Sequence, residues 1–373
     1  MTRVLFVVGT DRGGASLSTW ELARRLPPAA TPGVLERAKP ASRVLSPPTR
    51  RERLWDRSRS VSARMRNWHT LEPSTQGGVA SWTAPFLEGA IGPVCDDFCP
   101  DVVVGCSMYP RAWSSVVRQI AKRGIPTILY LREQSSVRLL GAGPTRVLAN
   151  APAIADSVRP VRPDVVMIPS VVDIDAVRTA STRTHVLYLN PIPTRGLEMA
   201  IDVAQAAPEI LFAFQESQLL HPRDLDALQA RTGALSNVEL RRTVGDRRAL
   251  YRDARVVLLP YLVENRPRVV LEAQANAIPV VASDIPGLRD AVGPGGVLLA
   301  PHRGPSEWRT CLQQLAEDHD HYAALCRAAL EHSQRSEVAP QRIVERFLDV
   351  VTATASTGPL PSARARCRMA PIA

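Results

Sequence analysis

The stretch Pro260-Tyr261-Leu262-Val263-Glu264-Asn265-Arg266-Pro267-Arg268-Val269-Val270-Leu271-Glu272-Ala273 runs on through Asn276-Ala277-Ile278-Pro279-Val280-Val281-Ala282-Ser283. It carries a strand end, a loop, a helix and a second strand in one short span. The apolar run Val256–Leu259 ends at Pro260, the loop presents Glu264, and Pro267 suits the first turn of a helix because its missing N–H would have no partner there. Apolar Pro279–Ala282 then reads as the next buried strand. A helix N-terminus carries partial positive charge and unpaired donors, so the N–H groups of Arg268 and Val269 form a seat for a diphosphate. Glu272 lies roughly 8 Å further along that helix at about 1.5 Å per residue, within reach of a group beside the phosphates such as ribose hydroxyls.

The same strand and helix rhythm extends in both directions. Towards the amino terminus, Val4–Val8 is followed by the turn Gly9-Thr10-Asp11-Arg12-Gly13-Gly14 and a helix over Ser18–Leu26. Short β-branched runs follow at Asp101–Val104, Val116–Lys122, Pro126–Leu131, Val147–Ala149 and Val165–Ile168. A second cycle opens with His185–Leu189, then Asn190-Pro191-Ile192-Pro193-Thr194-Arg195-Gly196 and a helix over Leu197–Ala206. Further strands are predicted at Ile210–Phe214, Val256–Leu259, Pro279–Ala282 and Gly296–Leu299. Alternation of this kind predicts an α/β protein with parallel sheets, and 373 residues suffice for two domains. The boundary is expected near Asp175–Thr184, where no apolar pattern persists. Residues 352–373, rich in Ser, Pro, Ala and Arg, read as a disordered tail.

The net charge of +10 is concentrated. From Arg37 to Arg66 ten basic residues face only Glu52 and Asp56, a local excess of eight. A general affinity for nucleic acid is therefore not expected. A basic stretch interleaved with Trp55, Met65 and Trp68 suits peripheral contact with membrane lipid or with an anionic acceptor, and equally a solvated Arg-rich insertion. No apolar run approaches the roughly 20 residues needed to span a bilayer. The amino-terminal run reads as a first buried strand, and the protein is expected to be cytoplasmic.

The six cysteines form no paired framework, and Cys95 and Cys99 lack the second pair of a zinc site. The string Asp318-His319-Asp320-His321 falls in a late helical segment and reads as a solvated helix face. No metal is expected. The turn after the first strand is not GxGxxG, and no acid clearly ends a second strand about 20 residues on, which disfavours a dinucleotide-dependent oxidoreductase.

The order of these parts resembles the retaining glycosyltransferases of family 4, whose signature is a Glu, seven residues, a second Glu and Ala, then a small-residue turn and Pro-Val-Val-Ala-Ser. Glu264 and Glu272 stand at the two signature positions. The resemblance runs over most of the chain: Asn237-Val238, Val244 and Leu250-Tyr251 to Val257 match the family's base-binding turn and following helix, and Gly295–Leu299 its late strand. Gly13-Gly14 matches the Gly-Gly loop, and Ile168-Pro169-Ser170 through Asp173 the linker motif. The family's Arg and Lys-Gly pair corresponds to Asn190 and Arg195-Gly196, so the second cation is kept and the first is not, with Arg266 a substitute. Where many members have a His after the Pro126 strand, this chain has Arg132, which can hydrogen-bond sugar or phosphate but cannot serve as a neutral base. The family's glycine before Ile-Pro is Ala277.

The resemblance implies a GT-B fold, in which two Rossmann-like parallel-sheet domains face a central cleft. Residues 1–178, with the irregular basic segment 36–90, would bind the acceptor, and residues 179–351 the nucleotide-sugar. It implies retaining, metal-independent transfer of a hexose-type sugar from a nucleotide-sugar, with a UDP-sugar the expected donor and no further cofactor. The acceptor hydroxyl would belong to a small or lipid-linked molecule, such as a secondary metabolite, met by the part of the N-terminal domain that holds Trp55, Trp68 and Trp82. Glu264, Arg195 and Arg132 are the expected catalytic residues. Gly13, Gly14, Asn190, Val244, Arg266, Arg268, Val269 and Glu272 are the expected donor-binding ones. A non-catalytic partner protein of the same fold, or a nucleotide-sugar hydrolase or epimerase on the same scaffold, is the alternative.

Overall fold

A computed structural model describes residues 1–9, 13–38, 71, 73–217, 219–263 and 266–357. The basic segment beyond Ala38, with Trp55 and Trp68, lies outside the described residues, as do Glu264 and most of the expected tail. The chain divides into two compact units. Of the described residues, those up to Val171 and those from Ala339 onward form unit 1, and Val172–Val338 form unit 2.

Unit 1 is built on an eight-stranded sheet: β1 (Thr2–Val8), β2 (Ala30–Arg37), β3 (Ser74–Gln76), β4 (Val79–Ala84), β5 (Val102–Cys106), β6 (Thr127–Leu131), β7 (Arg146–Ala149) and β8 (Val166–Met167), in the order β3-β4-β2-β1-β5-β6-β7-β8. Every pairing is parallel except β3 with β4. Because helices cover both faces, β1 is apolar along its length: Leu5 and Val7 join one core, Val4, Phe6 and Val8 the other. Helices α2 (Leu87–Phe98), α3 (Pro110–Ala121) and α4 (Pro152–Val158) pack on the first face, α1 (Gly14–Arg24) on the second.

Several expectations need correction. Val116–Lys122 is not a strand: its apolar residues continue from Trp113 through Val116, Val117 and Ile120, the helical spacing of one buried face, and they belong to α3. The expected irregular stretch 36–90 contains β3 and β4, and Trp82 of β4 is buried edge-to-face against Phe98 at 5.5 Å, so it belongs to the core and offers no acceptor contact. Residues 30–37 and 238–241 also form strands, masked in the sequence by Pro32 and by charged residues. The carboxyl-terminal boundary moves as well. The last helix, Pro340–Ala355, rejoins unit 1, where Phe347 stacks on Phe6 at 5.6 Å and on Tyr130 at 6.5 Å. Residues 352–355 are therefore helical, and the second unit ends at Val338 and begins at Val172 instead of 179.

Unit 2 repeats the plan with β9 (His185–Leu189), β10 (Phe212–Gln215), β11 (Val238–Arg241), β12 (Ala254–Leu259), β13 (Val280–Ser283) and β14 (Gly296–Leu299), all parallel, in the order β11-β10-β9-β12-β13-β14. Helices α5 (Leu197–Ala206), α6 (Pro222–Thr232) and α9 (Pro305–Glu317) cover one face, and α7 (Arg268–Gln274) and α8 (Pro286–Val292) the other. Helix α10 (His319–Ser333) follows, and α11 is the Pro340–Ala355 helix of unit 1. Numbered within the unit, the strand order is 3-2-1-4-5-6, the doubly wound arrangement. Its order reverses between β9 and β12, and ligands of such sheets bind beyond the carboxyl ends of the strands at that point. The loops after β9 and β12 hold the residues singled out above.

Candidate functional site

The loop after β9 is locked against the loop after β12 by a glycine. Asn190 takes a left-handed conformation (φ 64°), and its N–H donates to the Gln215 carbonyl at 2.9 Å, turning the chain out of the sheet. After the short turn Pro193–Arg195, Gly196 has φ 75°, and a Cβ there would lie 1.8 Å from the carbonyl oxygen of Pro260. Only glycine permits this approach. The guanidinium of Arg195 then lies 4.7 Å from the ring centroid of buried Tyr261, and its carbonyl accepts from the Tyr188 hydroxyl at 3.1 Å. The cation is thus held at the switch point by a ring and a backbone contact.

Beyond Tyr261 the side chains of Leu262 and Val263 are exposed, and Glu264 follows outside the described residues. Arg266 is mostly buried and ion-paired with Asp290 of α8 at 2.8 Å, so its charge is shared with that carboxylate. Pro267 sits one position earlier than expected, as the extended residue before the helix, and α7 begins at Arg268 with no side-chain cap.

Glu272 is the most constrained carboxylate of the site. It is buried, and its Oε1 accepts from Arg247 at 2.5 Å and from Arg268 at 3.1 Å, while Oε2 accepts from the Tyr251 hydroxyl at 2.7 Å. A buried carboxylate needs such partners to offset its lost hydration. Burial, reinforced by the adjacent Glu272 charge, pushes the Tyr251 hydroxyl well above its ordinary range, so it remains a donor. A carboxylate has about four lone-pair sites. Three of them accept from described residues, and the fourth has no donor among those residues.

The exposed turn at Val244 is braced from beneath by Glu216, a residue the sequence reading missed. This acid is buried at the end of β10, accepts from Leu220 N–H at 3.1 Å and Thr243 N–H at 3.3 Å, and pairs with Arg242 at 2.8 Å. Its signal was Gln215-Glu216 closing the apolar strand Phe212–Phe214, polar residues at a carboxyl edge. Arg247 and Tyr251 were likewise not expected to touch Glu272. Asn237, placed by resemblance near the base, is buried, with its amide nitrogen 2.9–3.0 Å from the carbonyls of Ala204, Ala207 and Ile210.

In unit 1, Gly13 has φ 109° and ψ −175°, a conformation for glycine alone, and opens α1 with no side-chain cap and no acid in its first turn. Gly14 is the first helical residue. Arg132 follows β6 directly and is buried: it donates to Ser170 Oγ at 2.7 Å and Thr19 Oγ1 at 3.4 Å, and lies 4.1 Å over the ring of Tyr130. The Tyr130 hydroxyl donates in turn to the carbonyls of Ile168 and Pro169. Asp318, in the string read as a helix face, caps α10 by accepting from His321 N–H at 2.9 Å. Among the described residues no three His, Cys, Asp or Glu side chains gather as a metal site, and no helix is long and apolar enough to cross a membrane.

Two doubly wound sheets, parallel but for β3, in one chain whose last helix returns to the first unit define the class: this is the GT-B fold. Solved structures match it over nearly the whole length. Anabaena Alr3699/HepE in complex with UDP-glucose superposes with a TM-score of 0.72 at 16% identity, over 95% of this chain and all of that one. Sucrose-phosphate synthase from Thermosynechococcus elongatus gives 0.75 at 12% identity over 96% and 100%, and the UDP-GlcNAc 2-epimerase of Neisseria meningitidis 0.61 at 16% over 93% and 100%.

At the level of sequence, the family model of Glycosyl transferases group 1 matches residues 203–318, the part of unit 2 that contains Glu216, the Val244 turn and Glu272. Similar curated proteins are the D-inositol 3-phosphate glycosyltransferases of Corynebacterium kroppenstedtii (37% identical over 92 residues) and Salinispora arenicola (36% over 156 residues). The first alignment covers 24% of this chain and 20% of the relative, the second 40% and 34%. The chain thus spans a fifth to a third of these relatives' length, and the sequence likeness is narrower than the fold likeness.

Proposed function

We propose that the protein is a glycosyltransferase that takes a nucleotide-sugar, with a UDP-sugar as donor, and holds the nucleotide in unit 2. The observation that carries this reading is Glu272, a buried carboxylate fixed by Arg247, Arg268 and Tyr251, with one acceptor site that has no donor among the described residues, inside the segment that resembles group 1 glycosyl transferases. That site suits a ribose hydroxyl. Val244 offers an apolar exposed surface to the base, and Asn190 lies at the same strand edge.

In this reading Arg195 and the N–H groups of Arg268 and Val269 meet the diphosphate, and Glu264 meets the sugar. A hexose is transferred with retention: the bond from the anomeric carbon to the phosphate oxygen breaks, the acceptor oxygen bonds to the same face, and the leaving phosphate takes the acceptor proton. Fixed cations and dipoles aimed at the developing phosphate charge would supply most of the acceleration. Catalysis is metal-independent, takes place in the cytoplasm, and has a small molecule as acceptor.

An epimerase shares the fold, so the test reads products. Purified protein is incubated with UDP-glucose, with and without a hydroxylated acceptor pool, and UDP and sugar are quantified. UDP release that depends on acceptor, with a glycosylated product, is the expected result. Release without acceptor identifies a hydrolase, and an altered nucleotide-sugar without UDP release identifies an epimerase.

A further inference from the structure

The turn that follows β11 is exposed over residues 242–246, yet two consecutive polar side chains at the end of β10 are buried beneath it. The amide nitrogen of Gln215 donates to the Arg242 carbonyl at 2.7 Å. Glu216 Oε2 accepts from the Thr243 N–H at 3.3 Å and pairs with Arg242 Nε at 2.8 Å. The Arg242 carbonyl and the Thr243 N–H belong to one peptide group, which is therefore held at both ends from inside the unit. The backbone of Glu216 adds a further tie, donating to the Arg241 carbonyl at 2.9 Å.

Glu216 also holds a second segment. Its Oε1 accepts from the Leu220 N–H at 3.1 Å, just ahead of α6. Beside each anchored N–H stands an exposed aliphatic side chain, Leu219 before Leu220 and Val244 after Thr243. A contribution to stability does not by itself account for a carboxylate at this position. The acid is buried, its cationic partner Arg242 is half exposed, and an apolar side chain could fill the same space without the lost hydration. What the carboxylate does, and an apolar residue cannot, is fix two backbone segments relative to one another through a single group. Both segments follow strands at the carboxyl edge of the sheet in unit 2, where ligands of such sheets bind. Aliphatic side chains on a fixed backbone suit a flat, weakly hydrated ring better than a phosphate or a hydroxyl-rich sugar.

We propose that Glu216 is a positioning residue for the nucleobase: by anchoring Leu220 and Thr243 it sets Leu219 and Val244 as apolar contacts of the base, and so supplies the part of nucleotide affinity that depends on the base. The proposal rests on the reading that unit 2 holds a nucleotide. The two are separable, because ribose 5-diphosphate presents the same ribose and phosphates as UDP without the base.

The full-length protein is titrated by calorimetry with UDP and with ribose 5-diphosphate, as wild type and as Glu216→Gln. The amide oxygen can still accept from the Leu220 N–H, but its NH2 group then meets the Thr243 N–H and Arg242, donor against donor, and the turn is released. Wild-type protein should bind UDP about tenfold or more tighter than ribose 5-diphosphate, and in the variant UDP should weaken by about tenfold while ribose 5-diphosphate stays within about twofold. Loss of both ligands in the same proportion shows a general structural role and overturns the proposal, as does an unchanged UDP affinity in the folded variant. Wild-type protein that binds both ligands equally overturns it and leaves the nucleotide reading intact; wild-type protein that binds neither overturns both. Should Glu216→Gln fail to fold, Leu219→Ala, at an exposed position, takes its place: UDP should weaken by about threefold with ribose 5-diphosphate unchanged, and an unchanged UDP affinity overturns the proposal equally.

Discussion

Glu272→Gln removes one negative charge from beneath three protein donors and, in the proposed function, from a ribose hydroxyl. The side chains of Glu272 and Arg268 are each only 8% exposed, whereas Arg247 is 22% exposed and better hydrated. Breaking a buried ion pair by removing one partner costs about 3–5 kcal/mol, and the amide oxygen, still able to accept one donor, returns about 1 kcal/mol. The net loss of about 2–4 kcal/mol corresponds to a Tm lower by roughly 5–12 °C for a unit of this size. Loss of a charged acceptor should also weaken UDP by about 10- to 150-fold. Tyr251→Phe separates the two effects, because it removes a donor without orphaning a charge and leaves Oε2 open to ribose. It should cost about 1 kcal/mol of stability and leave UDP affinity within about threefold. Calorimetric melting and UDP titration of both variants test this. A Glu272→Gln protein with wild-type stability and UDP affinity would refute the reasoning, as would a Tyr251→Phe protein that loses UDP as severely as the Glu272 variant.

Other outcomes follow from the same geometry. Gly196→Ala should destabilise unit 2 by about 2–5 kcal/mol in urea unfolding, since it combines a left-handed φ with a Cβ driven onto the Pro260 carbonyl; a loss below about 0.5 kcal/mol contradicts the tight approach of the two loops. Asp164 is held at about 2, from an ordinary 3.8, chiefly by its hydrogen bonds to Arg162. Its folded value is depressed, so its stabilising contribution is present above about pH 4 and lost as pH falls through about 2. The Asp164 side chain is a third exposed, which limits that contribution to under about 1 kcal/mol; an Asp164→Asn deficit that does not shrink between pH 4 and 2 contradicts the assignment. In the proposed function Arg195 and the start of α7 meet the phosphates, so transfer should survive EDTA; activity abolished by chelation and restored by magnesium contradicts metal independence.

Much of the fold could be read from residue order alone. Runs such as Val4–Val8 and His185–Leu189 are apolar on both faces because helices cover both sides of each sheet, and glycines or prolines close them. The misreadings came where local pattern and tertiary role diverge. Val116 and Val117 are β-branched yet helical, since the spacing from Trp113 to Ile120 places one face in the core. The return of α11 to unit 1 depends on a contact between Phe347 and Phe6, far apart in the chain, which no local pattern reveals. In the candidate site, Glu272 and Arg195 were visible through motif order, but their partners were not. Arg247 and Tyr251 precede Glu272 by 25 and 21 residues and meet it only through the fold, and Glu216 looks like any acid after a strand until two N–H groups are seen to point at it.

The most direct test of the central claim is calorimetric titration of the full-length protein with UDP-glucose and with the GDP-, ADP- and dTDP-sugars. The account predicts single-site binding of a UDP-sugar that free UDP competes away. Absence of binding by every nucleotide-sugar, or binding that free nucleoside diphosphates leave untouched, would contradict it.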